Sequence, residues 1–141
     1  MLSADAVRAE ALRIGFVACG IAPLDPSRRG DALDRWLARG YAGVMGYLPR
    51  QARKRKAPAT ITPGARTAVV VLENYAAGSA EQPRTDDAFR IASYARGMDY
   101  HIVTHGRLHI LSEWLLANGA SLAHTWVDDA PVPERELAVA N

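Results

Sequence analysis

A chain of 141 residues, 49% of them apolar and 23% charged, can form one domain burying about 70% of the surface its unfolded form exposes. That balance excludes a disordered or low-complexity chain, and a net charge of +2 singles out no class of partner. The single cysteine, Cys19, excludes an intramolecular disulfide and any all-cysteine metal or iron–sulfur site built by this chain alone.

Ala4, Val7, Ala11 and Ile14 recur every three or four residues behind Ser3, which predicts an amphipathic helix over residues 4–14, capped by Ser3 and ended by Gly15. Residues 16–21 read as a short buried strand in which Cys19, among Val17, Ala18 and Ile21, is a core thiol rather than a reactive one. Residues 23–30 form a turn region, and residues 31–38 a helix stopped by Gly40. Gly40, Gly43 and Gly46 make a flexible corner around Tyr41, Met45 and Tyr47.

Residues 50–56 are the one strongly basic run, between Pro49 and Pro58, and Pro63-Gly64 turns the chain into residues 68–72. That valine-rich run is too short for a buried helix and reads as a central strand covered on both faces. Residues 76–87 read as an exposed loop. Residues 100–117 read as a longer helix closed by Asn118-Gly119, residues 122–127 as a further strand, and residues 134–139 as a short helix. Alternating helices and strands predict an α/β fold, a layered sheet with helices on both faces, in a single domain over residues 1–141. Early charges at Asp5, Arg8 and Glu10 argue against a secretory signal, and no stretch approaches the ~20 apolar residues of a membrane span, so a cytoplasmic location is expected.

Arg50, Arg53, Lys54, Arg55 and Lys56 are suited to phosphates of RNA or of a nucleotide-like cofactor tail, although a solvated basic loop is the more common meaning of such a run. His101, His105, His109 and Glu113 are spaced four apart, but eight residues advance a helix about 12 Å and metal ligands sit within roughly 2 Å of zinc, so one ion cannot take them all. No metal site is expected. Asp99 opens the long helix with Tyr100 and His101, either as a cap or as part of a ligand site. Asp128-Asp129 follow a predicted strand, where α/β sheets bind ligands, and two adjacent carboxylates beside Trp126 and Val127 favour keeping one protonated. An aspartate- and proline-rich turn explains the same residues equally well. P-loop and dinucleotide fingerprints are both missing from the sequence.

Five segments carry more together than apart. Trp36-Leu37-Ala38-Arg39-Gly40-Tyr41-Ala42-Gly43-Val44-Met45-Gly46-Tyr47, the basic Arg-x-x-Pro segment at Arg55, Thr62-Pro63-Gly64-Ala65-Arg66, Tyr94-Ala95-Arg96-Gly97-Met98-Asp99-Tyr100-His101 and Val127-Asp128-Asp129-Ala130-Pro131-Val132-Pro133-Glu134-Arg135 occur in one order. The chain, over residues 15–138, thereby resembles the N-terminal, cobalamin-binding half of the epoxyqueuosine reductases. The resemblance implies a cobalamin-dependent oxidoreductase that completes queuosine on transfer RNA, fed by two four-iron clusters in a C-terminal region. It implies that Asp128 is the proton donor, that Arg55, Ala92 and Arg135 line the cofactor pocket, and that Asp99 and His101 sit near cofactor or substrate. The implied partners are the anticodon loop bearing epoxyqueuosine and a separate iron–sulfur half, with the chain itself a monomer.

Two departures qualify that reading. The residues after Ala138 do not continue into the glycine-rich segment that completes the family's pocket, and the cysteine-rich cluster region is missing, so the chain is expected to be an incomplete N-terminal domain, inactive alone. Ala57 also stands where an acidic residue is frequent, and Asp129 where a small hydroxyl residue is usual. The alternative is a non-catalytic corrinoid- or RNA-binding module acting through Arg55 and its basic neighbours.

Overall fold

The computed structural model describes residues 2–74, 92–95 and 97–140. The loop expected over residues 76–87 and Arg96 of the Tyr94–His101 motif lie outside the described residues. The described residues form five α-helices and a two-stranded antiparallel sheet, an α/β arrangement.

Helix α1 (Ala4–Ile14) has the bounds its periodicity predicts. Ser3 Oγ accepts from the Ala6 N–H at 3.2 Å, and Gly15 closes the helix at φ 113°, a left-handed conformation that a Cβ would strain. The chain then turns Phe16 into the core and makes strand β1 (Ala18–Pro23). The strand starts two residues later than predicted because Phe16 packs under the helix end instead of joining the ladder. Strand β2 (Thr67–Leu72) falls on the expected valine run, but among the described residues it pairs only with β1 and none of its residues is fully buried, which corrects the reading of it as a central strand covered on both faces. Its register on β1 runs from Ala18 opposite Leu72 to Pro23 opposite Thr67, and Val17 N to Leu72 O (2.9 Å) and Leu24 N to Arg66 O (3.0 Å) extend the pairing at both ends.

Helices α2 (Gly30–Ala38) and α3 (Tyr47–Lys56) pack on each other. The second corrects the reading of the basic run as a loop. Pro49 falls in the first turn of α3, where a proline costs no hydrogen bond, and the alanine, glutamine, arginine and lysine residues that follow are good helix formers. Four cations in the last turn also complement the helix dipole. A 3-10 turn, Pro58–Thr60, leads towards β2.

Helix α4 (Tyr100–Ala117) packs against α1, and Leu111 of α4 closes with Ala11 and Phe16 into the core, flanked by Ile14, Cys19, Val69 and Val71. Cys19 is thus half-buried at the core edge, and burial pushes its thiol up. Residues 122–127, expected as a strand, run without ladder pairing among the described residues; Val127 is buried, whereas Leu122 and Trp126 are exposed. Helix α5 (Glu134–Val139) also has its predicted bounds. Glu136 anchors it, accepting from Ser27 Oγ (2.6 Å) and the Arg28 N–H (2.7 Å), while the Ser27 N–H donates to Lys56 O (2.9 Å). That anchor joins α5, α3 and the turn before α2. None of the described helices is long and apolar enough to cross a membrane.

Candidate active site

The start of α4 is built by its own first residues. Asp99 is the N-cap, its Oδ1 accepting both from the His101 N–H (2.9 Å) and from His101 Nδ1 (2.8 Å). Because a carboxylate can only accept, Nδ1 carries the proton in that contact. The imidazole holds the Asp99 carboxyl below the ordinary carboxylate range. Asp99 therefore acts as a cap and orients His101 at once. The His101 ring lies on the Tyr100 ring at 4.1 Å between centroids, and the Tyr94 ring meets Tyr100 edge-on at 6.3 Å.

Tyr100 reaches across to the turn after residue 127. Its hydroxyl donates to Asp128 Oδ2 at 2.6 Å, a short contact of the charge-assisted kind. Asp128 has φ 55°, a left-handed conformation uncommon outside glycine and tolerated best by asparagine and aspartate. Asp129 closes the same turn, accepting from the Val127 N–H at 2.9 Å, and its other oxygen lies 3.5 Å from His105 Nε2. The two adjacent carboxylates thus have different partners. Asp128's acidic neighbour is Glu134, the first residue of α5. Burial, then the Asp128 charge, raises the Glu134 carboxyl above its ordinary range. The hydrogen bond to Asp128, followed by burial, pushes the Tyr100 phenol up to about 12.

Tyr100, Asp128, Glu134 and Arg135 line an open cleft of about 1160 Å³ that runs in to Val69 and Leu108 between β2 and α4. Its volume exceeds the roughly 300–1,000 Å³ of ordinary small-molecule sites. Farther along, Glu73 after β2 accepts from Thr104 Oγ1 and pairs with Arg107, pinning α4 to the end of the strand.

Residues 55–129, more than half of the chain, match the family described as "Epoxyqueuosine reductase QueG, DUF1730". The chain belongs to the epoxyqueuosine reductase QueG, DUF1730 family. Among its curated relatives named epoxyqueuosine reductase, that of Cellulophaga algicola is 32% identical over 95% of this chain and 44% of its own length. That of Leadbetterella byssophila is 34% identical over 92% of the chain and 42% of its own length, and that of Burkholderia pseudomallei 34% over 96% and 38%. The chain therefore spans about two fifths of the length of these relatives. No solved structure matches it significantly.

Of the site residues expected in this member of the family, Asp128 and Arg135 line the cleft, and Asp99 and His101 adjoin it through Tyr100. Ala92 is exposed, before the 3-10 turn that carries Tyr94. Arg55 is not among the cleft-lining residues. It sits half-buried in the last turn of α3, with Nη2 3.4 Å from Gln51 Oε1 and a buried Nε that has no hydrogen-bond partner among the described residues. The histidine series on α4 divides among Asp99, Asp129 and, for His109, Glu113 at 3.5 Å, and no group of three candidate metal ligands occurs among the described residues. Sequence reasoning did not single out Glu134 as a partner of Asp128. Pro131 and Pro133 lie in the connection that returns the chain to Asp128, and no periodicity signals such a return.

Proposed function

We propose that the chain is the cobalamin-binding part of an epoxyqueuosine reductase, a cytoplasmic oxidoreductase acting on epoxyqueuosine in the anticodon loop of transfer RNA. The observation that carries the reading is the Asp128 carboxyl group on the wall of a large cleft, hydrogen-bonded by Tyr100, in a chain of this family. Two structural features suit a corrinoid: a cleft of macrocycle size and, outside the lining of that cleft, the buried Arg55 Nε, a donor without a hydrogen-bond partner among the described residues. Arg55, Ala92, Asp99, His101 and Arg135 would hold it, within a single layered domain over residues 1–141 whose helices cover both faces of the sheet. Bound and reduced, cobalamin supplies electrons.

The residues of this chain supply the proton chemistry. Removing the epoxide oxygen takes two electrons and two protons, leaves an alkene and releases water. Asp128 gives a proton to the departing oxygen, so that it does not leave as a bare alkoxide. The one cysteine cannot hold an iron–sulfur cluster. Electron delivery therefore calls for a cysteine-rich segment or partner, and the chain alone, here taken as a monomer, is inactive without it. In the complete enzyme, Asp128→Asn should abolish turnover while cobalamin absorbance still reports binding; turnover that survives would remove Asp128 from the role of acid.

A second reading is a non-catalytic module that binds a corrinoid or RNA. The exposed Arg50, Arg53 and Lys54 of α3, which have no ion-pair partner among the described residues, favour it.

A further inference from the structure

We propose that Tyr100 is a positioning residue that fixes the orientation of the Asp128 carboxylate in the cleft. The inference rests on the reading of Asp128 as the acid and adds one residue to it. An acid on an exposed turn samples several rotamers, and its catalytic value depends on being held in one. Two constraints act here. The Asp128 backbone is held at φ 55°, and its Oδ2 accepts from the Tyr100 hydroxyl at 2.6 Å. Tyr100 is itself fenced, with His101 stacked on one face and Tyr94 edge-on. The cap made by Asp99 fixes where the helix, and with it the ring, begins.

Glu134 lines the same cleft. The other charged or titratable groups around the Tyr100–Asp128 pair are Glu134, Asp99, Asp129, Tyr94 and, through Asp129, His105.

The test is a pH titration of the chain, carbon-13 labelled at the tyrosine ring and at the aspartate and glutamate carboxyls, followed by NMR without cofactor. Tyr100 should titrate at about 12 and Glu134 above 4.5. In Asp128→Asn the phenol should move back towards 10 and the Glu134 carboxyl towards its ordinary range. Tyr100→Phe serves as a second variant, in which the Asp128 carboxyl resonance should shift. A Tyr100 titration unmoved in Asp128→Asn, with the Asp128 resonance unmoved in Tyr100→Phe, would overturn the pairing. In the complete enzyme Tyr100→Phe should lower kcat at least tenfold with cobalamin affinity unchanged; a lowered affinity with an unchanged kcat would make Tyr100 merely structural. A coupled titration in a chain that fails to bind cobalamin would count against the functional reading and leave the pairing of the two residues intact.

Discussion

Glu134 opposes stability at the edge of the site. Its carboxyl is raised in the folded chain, by burial and by the Asp128 charge. A group with a raised folded pKa adds its stabilisation at acid pH, below its unfolded value, and loses it as pH rises through the folded value. Above the ordinary carboxylate range Glu134 therefore costs stability, and Glu134→Gln should melt at a higher temperature than the parent at pH 7. The difference should shrink as pH falls below 4.5, the ordinary value. A variant that melts lower at pH 7 would show that the charged form is the one the fold prefers. Glu10 behaves in the opposite sense. Its hydrogen bonds to Arg13, at 2.8 and 2.6 Å, lower its carboxyl, so its contribution is present above the ordinary carboxylate range and fades as pH falls through the lowered value.

Among the described residues few large side chains are deeply buried, so each element depends on a small number of contacts. Leu111 is 2% exposed and joins α4 to Ala11 of α1 and to Phe16. Leu111→Ala should lower the unfolding free energy by about 2–5 kcal/mol, the range for a buried leucine that leaves a cavity. Urea denaturation followed by helical circular dichroism measures it, and a loss below about 1 kcal/mol would mean that α1 and α4 can close over the gap. For a domain with roughly 5–15 kcal/mol in hand, that single change takes a large share. The elements also show where local rules succeed. Helices α1, α4 and α5 have the bounds their patterns predict, because caps and periodicity act within one segment: Ser3 and Gly15 for α1, Asp99 for α4. The reading failed at α3, where Pro49 looked like a boundary although it stands where helices tolerate proline. It failed at residues 122–127, since a strand requires a neighbour and a segment's own residues do not announce one.

Across the whole molecule, charge is distributed more unevenly than a net value of +2 suggests. The exposed cations of α3, with Arg28, Arg29, Arg35 and Arg39 on and beside α2, lie on two helices that pack on each other. The acids there are Asp31 and Asp34, and Asp34 is occupied by Lys56 at 2.7 Å. If this surface meets the phosphates of transfer RNA, affinity should fall with salt at about 0.7–0.9 logarithmic units per decade for each phosphate neutralised, and Arg53→Ala with Lys54→Ala should flatten the slope. Filter binding from low to high salt measures it, and an affinity indifferent to salt would exclude an RNA role for α2 and α3. The sequence by itself determined the α/β alternation, three helix boundaries, the valine strand and the ordered motifs around Arg55, Asp99, His101, Asp128 and Arg135, since these depend on spacing within a segment. Only the tertiary structure decided that β1 and β2 pair antiparallel, that Asp128 and Asp129 take different partners, and that Tyr100, Asp128 and Glu134 meet at one cleft. Those contacts join separate elements, or close through a turn held by Asp129 and a left-handed residue, and nothing within one segment encodes them.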